Sequence, residues 1–209
     1  MDVIYLPTGH RSFLLPVIRG LESERVKVKN ALQECSPDVI AVSVSPEELD
    51  GLAKFDGGEA EASNIEEQIY MERLAAFGEV SKPPPCFLEA RDQAKERGLK
   101  FEALDLNNED FTEAYVTNVS TVEMMMQSWI ANKLQSPRLV AGTPEEFVLK
   151  FDQAANRKEG FKRLEQAREM HMAKRLAMLM AESKDTLALI ELERLEGVRR
   201  ALAPAYLPL

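Results

Sequence analysis

Val39-Ile40-Ala41-Val42-Ser43-Val44 constrains the fold of this chain more than any other segment. Its residues are apolar at successive positions, not at alternate ones, until Ser43 is reached. A strand of that kind is buried on both faces, as in the interior of a parallel sheet. Ser36-Pro37-Asp38 turns the chain into it. Ser45-Pro46-Glu47-Glu48 leads out of it, with Ser45 placed as an N-cap and Pro46 at the first helical position. A parallel neighbour requires a crossover, so helices must separate the strands.

The rest of the sequence supplies that alternation. Residues 2–6, 100–106 and 185–192 read as further strands, and residues 7–20, with Pro16 and Gly20, as a loop. Apolar spacing predicts helices over 22–35, 64–77 and 86–97, the last stopped by Gly98. One long helix is expected from Asn108 to Leu134, with a stripe through Tyr115, Val119, Val122, Met126, Trp129 or Ile130, and Leu134. Thr143 caps the next helix, a break falls near Gly160, and a last helix covers 193–202. The expected fold class is α/β, with a mostly parallel central sheet of about four or more strands covered by helices. All 209 residues form one domain, with a mobile loop at 54–63.

Charge and cysteine content narrow the function classes. The net charge is −9, which argues against nucleic acid or an anionic membrane surface as the main partner. No stretch approaches the length of a membrane span, and the N-terminus lacks the basic region of a signal peptide. Two cysteines are too few for a disulfide scaffold, so a reducing, cytoplasmic compartment is expected. Dinucleotide, phosphate-loop, serine-elbow and zinc-protease motifs do not occur.

In a parallel α/β sheet, ligands bind beyond the carboxyl ends of the strands. That rule selects four places. After the first strand comes Thr8-Gly9-His10-Arg11-Ser12, where His10 is a candidate base or metal ligand. Ser43 closes the second strand, followed by Glu47 and Glu48, which the helix dipole alone explains. Asp105 closes the third. Glu191 and Glu193 end the fourth. In the helix around 161–180, Arg168 and His171 share a stripe with apolar residues; a buried arginine there needs a carboxylate or an anionic ligand. Cys86 follows three prolines and reads as structural. The Met124-Met125-Met126 run with Trp129 is core, or the face of a homodimer.

The order of these pieces resembles the TraB/PrgY family, related to the erythromycin-esterase, GumN and Tiki group, over most of residues 2–202. Pro37 to Glu47, Ala90 to Asp105 and Arg168 to Val198 carry the resemblance. Within the last, Arg168-Glu169-Met170-His171-Met172-Ala173 is similar to the family's Arg-Asp-x-x-Met-Ala run, and Gly197-Val198 to its Gly-Ile. The resemblance implies a parallel α/β domain and metal-dependent hydrolysis, with two histidines and several carboxylates holding the ion. Several polar positions depart from the pattern. Pro7 stands for a glycine, Ser43 for a glutamate, Cys86 for a glutamate (with Glu89 one turn away) and Leu106 for an arginine. Glu191-Leu192-Glu193-Arg194 replaces the final Gly-x-x-His.

The expectation is a divergent TraB/PrgY-like domain with a degraded metal-hydrolase site, acting without catalysis as a binding or assembly module for a small-molecule or peptide ligand. No cofactor is expected. The alternative is a metal-dependent hydrolase of ester or peptide bonds, rearranged around His10 as the surviving metal ligand. Its catalytic residues would be His10, Asp105 and Arg168, and its ligand contacts Arg11, Ser12, Ser43, Glu169, Glu191 and Glu193. A third reading, a regulator that binds a small anion or nucleotide, rests on Arg11, Arg168 and the helix N-termini near this edge.

Overall fold

The computed structural model describes residues 2–5, 11–58, 64–134, 140–182 and 185–203, with side chains for all of these except 2–5 and 127–133. Five strands form one sheet: β1 Asp2–Tyr5, β2 Arg11–Val17, β3 Val39–Val42, β4 Lys100–Ala103 and β5 Asp185–Glu191, in the spatial order β1-β2-β5-β3-β4. β2, β5, β3 and β4 are mutually parallel; β1 lies antiparallel on the β2 edge. The α/β class with a mostly parallel sheet is therefore observed. The helices are α1 Glu24–Cys35, α2 Pro46–Lys54, α3 Ile65–Leu74, α4 Pro85–Arg97, α5 Asn108–Asn118, α6 Thr121–Leu134, α7 Pro144–Ala155, α8 Glu159–Glu182 and α9 Leu192–Leu202.

Alternation along the inner strands sorts their side chains onto two faces. Phe13, Leu15 and Val17 of β2, Ile40 and Val42 of β3, and Leu187 and Leu189 of β5 pack with α1, α2 and α4. Leu14, Ala41, Ala188 and Ile190 point the other way, against Met172, Leu176 and Met180 of α8 and Val198 of α9. With both faces covered, β5 is buried from Thr186 to Glu191 and the apolar run of β3 is explained. A third cluster extends beyond the carboxyl end of β2. There Ile18 and Leu21 meet Ile69, Tyr70 and Leu74 of α3 and Phe147, Val148 and Phe151 of α7.

Three sequence expectations need correction or limits. Residues 11–17 form β2, not a loop. Pro16 fits because β1 reaches only as far as Leu14, so no antiparallel partner needs a Pro16 N–H. The long helix is two helices. At the break Val119 is extended (φ −99°, ψ 118°) and buried, and Ser120 and Glu123 form a reciprocal cap: Glu123 N donates to the Ser120 hydroxyl, and Ser120 N donates to the Glu123 carboxylate at 3.0 Å. Residues 59–63, half of the expected mobile loop, lie outside the described residues.

The helix punctuation otherwise follows the sequence. Ser45 accepts from Glu48 N while Glu48 accepts from Ser45 N. Thr143 caps α7, and Gly98 ends α4 in the left-handed region at φ 66°. Among the described residues no helix is long and apolar enough to cross a membrane.

Candidate functional site

Every parallel strand delivers its last residues to one edge, and an open cleft of about 650 Å³ lies there. Asp105 and Leu106 follow β4, Ser45, Glu47 and Glu48 open α2, and Glu191 and Glu193 lie where β5 passes into α9. Arg19 arrives two residues beyond β2. Tyr70 of α3 and Phe151 of α7 form an aromatic wall, 5.2 Å apart in an edge-on arrangement.

The floor is a network of guanidinium–carboxylate contacts. Arg168 of α8 donates from Nε to Asp105 Oδ2 at 3.0 Å, and its Nη2 also pairs with that oxygen at 2.5 Å. Its Nη1 donates to Glu165 at 2.8 Å, one helical turn away. Asp105 Oδ1 accepts from Leu106 N at 2.8 Å, so both carboxylate oxygens are engaged. Arg194 of α9, only 4% exposed, pairs with Asp152 of α7, with Glu165 at 2.9 Å and with Glu169 at 3.4 Å. Glu165 thus bridges two arginines. Arg19 pairs with Glu191 at 2.8 Å. The planar, permanently charged guanidinium suits such shared, multidentate geometry.

Burial sets the protonation of this floor. It pushes the Glu165 and Glu191 carboxyls up, against the pull of Arg168 on Glu165 and of Arg19 on Glu191. Glu193 rises to about 7 through burial and then the neighbouring Glu191 charge. Glu169 also rises to about 7, through burial and Glu165. Burial lowers Arg194 to about 10, which leaves it charged at neutral pH. Arg19 is raised, chiefly by Glu191.

Of the residues selected from sequence, Asp105, Arg168, Glu191 and Glu193 come together around this cleft. Ser43 lies just beneath it, buried, and its hydroxyl accepts from Glu191 N at 3.0 Å, fixing the end of β5 to β3. Glu169 lies behind the floor, packed so closely on α9 that a Cβ on Gly197 would meet its carboxylate at 1.9 Å. His171 does not line the cleft. His10 lies outside the described residues.

Arg11 and Ser12 are at the opposite edge. The cause is the direction of β1. Because β1 is antiparallel, its carboxyl end, where Tyr5 pairs with Arg11, lies at the amino edge of the other strands. Seven residues of β2 separate the two edges, about 20 Å of extended chain. Arg11 there pairs with Asp185, and Ser12 is buried with no partner for its hydroxyl among the described residues.

Arg19, Asp152, Glu165 and Arg194 were missed in the sequence. Arg19 was hidden by reading β2 as a loop. Glu165 had a local signal, its i,i+3 spacing to Arg168. Asp152 had none.

The metal chemistry implied by the family resemblance does not fit this donor set. Asp105 and Glu191, at strand ends where an ion would need oxygen ligands, already accept from arginines. Among the described residues no three His, Cys, Asp or Glu side chains are grouped to hold an ion. A divalent cation would have to displace buried guanidiniums and leave them unpaired. The anion reading fares no better: the α2, α5 and α9 N-termini at this edge carry their own acids in the first turn, Glu47 and Glu48, Glu109 and Asp110, and Glu193. No protein-family model matches the chain, and no curated protein matches it.

Proposed function

We propose that the chain is a divergent TraB/PrgY-like domain of the cytoplasm whose carboxyl-edge cleft binds a small polar ligand without metal-dependent hydrolysis. One observation carries this reading: Arg168, Arg194 and Arg19 occupy the strand-end and helix carboxylates that a catalytic ion would need. An arginine with two or three carboxylate partners in a buried floor cannot leave without exposing uncompensated charge. The floor is therefore a fixed platform, and its open side is the binding surface. Size supports the same conclusion, since about 650 Å³ falls within the range of small-molecule sites.

Metal analysis of the purified full chain, with a panel of ester and peptide substrates assayed with and without added zinc, manganese or magnesium, tests the reading. The expected result is substoichiometric metal and no turnover. One bound metal ion per chain, with hydrolysis lost in His10→Ala, would establish the hydrolase reading instead.

A homodimer is the assembly half of the proposal. It rests on the solvent-facing apolar side chains Val116, Val122, Met125 and Met126 of α5 and α6, the last 43% exposed and the others more so. Sedimentation of wild type and Met125→Glu measures it: a dimer that the substitution dissociates is expected, and a monomeric wild type removes the idea.

A further inference from the structure

We propose that the carboxyl-edge cleft takes a small organic amine in its protonated form, held by Glu193 with the rim carboxylates Glu47 and Glu48. This rests on the reading of the cleft as a ligand site and names the chemical class it accepts.

Charge balance comes first. Nine carboxylate side chains and three guanidinium groups line the cleft among the described residues. All three guanidiniums already hold carboxylates, so they offer an incoming anion little. The acids are not symmetrically spent. Glu47 accepts the Asn108 backbone N–H at 3.2 Å and also interacts with the Ser45 hydroxyl, and Glu48 accepts the backbone N–H of Ser45. No salt bridge among the described residues reaches Glu47, Glu48 or Glu193. A partly buried carboxylate such as Glu193, with no guanidinium in direct contact among the described residues, attracts a cation inside a concave site.

The walls decide between cations. A divalent ion needs several convergent oxygens and brings its own water. An organic ammonium needs one or two carboxylates and an apolar surface for its carbon chain. The exposed ring of Phe111 supplies that surface, backed by the buried Tyr70, Phe151, Val148 and Ala155. The Phe111 ring already has the Arg168 guanidinium above it at 6.0 Å, which shows this wall supporting a cation. The cleft volume admits a diamine or a short polyamine with room for water.

Protonation makes the proposal distinctive. Glu193, faced by Glu191, by the Arg19 and Arg168 guanidiniums and by the Tyr70 hydroxyl, sits near 7 when the cleft is empty, and an ammonium favours its ionised form. Binding below neutral pH must then release a proton, and affinity must rise with pH until Glu193 is fully charged.

Calorimetric titration of the full chain with putrescine and spermidine at constant ionic strength tests this at about pH 8 and pH 5.5. The expected result is one amine per chain, bound about tenfold more weakly at the lower pH and by Glu193→Gln. Glu47→Gln, on the exposed rim, should weaken binding by a smaller factor. It keeps the test valid if the Glu193 variant does not fold. Amine binding unaffected by both substitutions would be general attraction to an acidic protein and would overturn the proposal. Binding of phosphate or a nucleotide but not of amines would overturn it too, and leave the ligand-site reading standing. Stoichiometric metal with hydrolysis would remove both.

Discussion

The two edges of the sheet each hold an arginine–aspartate pair, and the pairs differ in what surrounds them. At the amino edge, Arg11 of β2 meets Asp185 of β5 with the arginine side chain 45% exposed. At the carboxyl edge, Arg194 meets Asp152, Glu165 and Glu169 with 4% exposed. Solvent screens the first pair, which is worth little to stability. The second is buried among charges that depend on it, so losing one member leaves the rest uncompensated. The amino edge even tolerates two neighbouring buried hydroxyls, Ser12 and Thr186, with no partner among the described residues. At the carboxyl edge even Ser43 is used, to hold the Glu191 amide. Among the described residues, the buried guanidinium–carboxylate contacts are concentrated at the carboxyl end of the sheet, and the cleft lies there.

Arg194→Ala should show the contrast most strongly. It strips three carboxylates of their shared donor and should lower unfolding free energy by about 3–5 kcal/mol in a denaturant titration. A loss below about 1 kcal/mol would make the two edges equivalent.

Gly197→Ala comes next. The added methyl would drive the Glu169 carboxylate off Arg194, at about 1–3 kcal/mol by the same titration. Glu169→Gln should soften that loss little, since the clash is steric.

The pH dependence of stability separates the edges further. Glu193 titrates near its ordinary 4.5 when unfolded and at about 7 when folded. Folding therefore favours its protonated form. That contribution is fully present below about pH 4.5 and is lost as pH rises to about 7. Thermal midpoints of wild type should fall across that window, and Glu193→Gln should flatten the fall. An unchanged profile would show that Glu193 is not desolvated.

Arg11→Ala should have the smallest effect, at most about 1 kcal/mol, and it should shrink further in high salt. A larger, salt-resistant loss would mean that the amino edge is more than a solvated rim.

The fold class was legible because β3 and β5 are short, uninterrupted apolar runs between helices. β2 was not, since Pro16 reads as a breaker unless one knows that β1 stops at Leu14. The same reading put Arg11 and Ser12 at the wrong edge, because the antiparallel direction of β1 turns its carboxyl end to the amino edge of the other strands. The α5–α6 break was legible in principle: Ser120-Thr121-Val122-Glu123 is a capping box, passed over because the apolar stripe continued across it. Asp105, Glu191 and Glu193 are legible from the strand-end rule, and Arg168 from its place among the apolar residues of a helix stripe, where a charge needs a partner. Which arginine holds which acid depends on the crossing of α7, α8 and α9, and no sequence spacing encodes that for Asp152 with Arg194.

The central claim is that guanidiniums fixed in the fold neutralise the strand-end carboxylates of the cleft. A double-mutant cycle on Asp105 and Arg168, using Asp105→Asn, Arg168→Met and both together, measures it through unfolding free energies. The account predicts that the double variant is more stable than the sum of single losses implies, by a coupling of about 1–3 kcal/mol. Additive losses, with a coupling under about 0.3 kcal/mol, would contradict it.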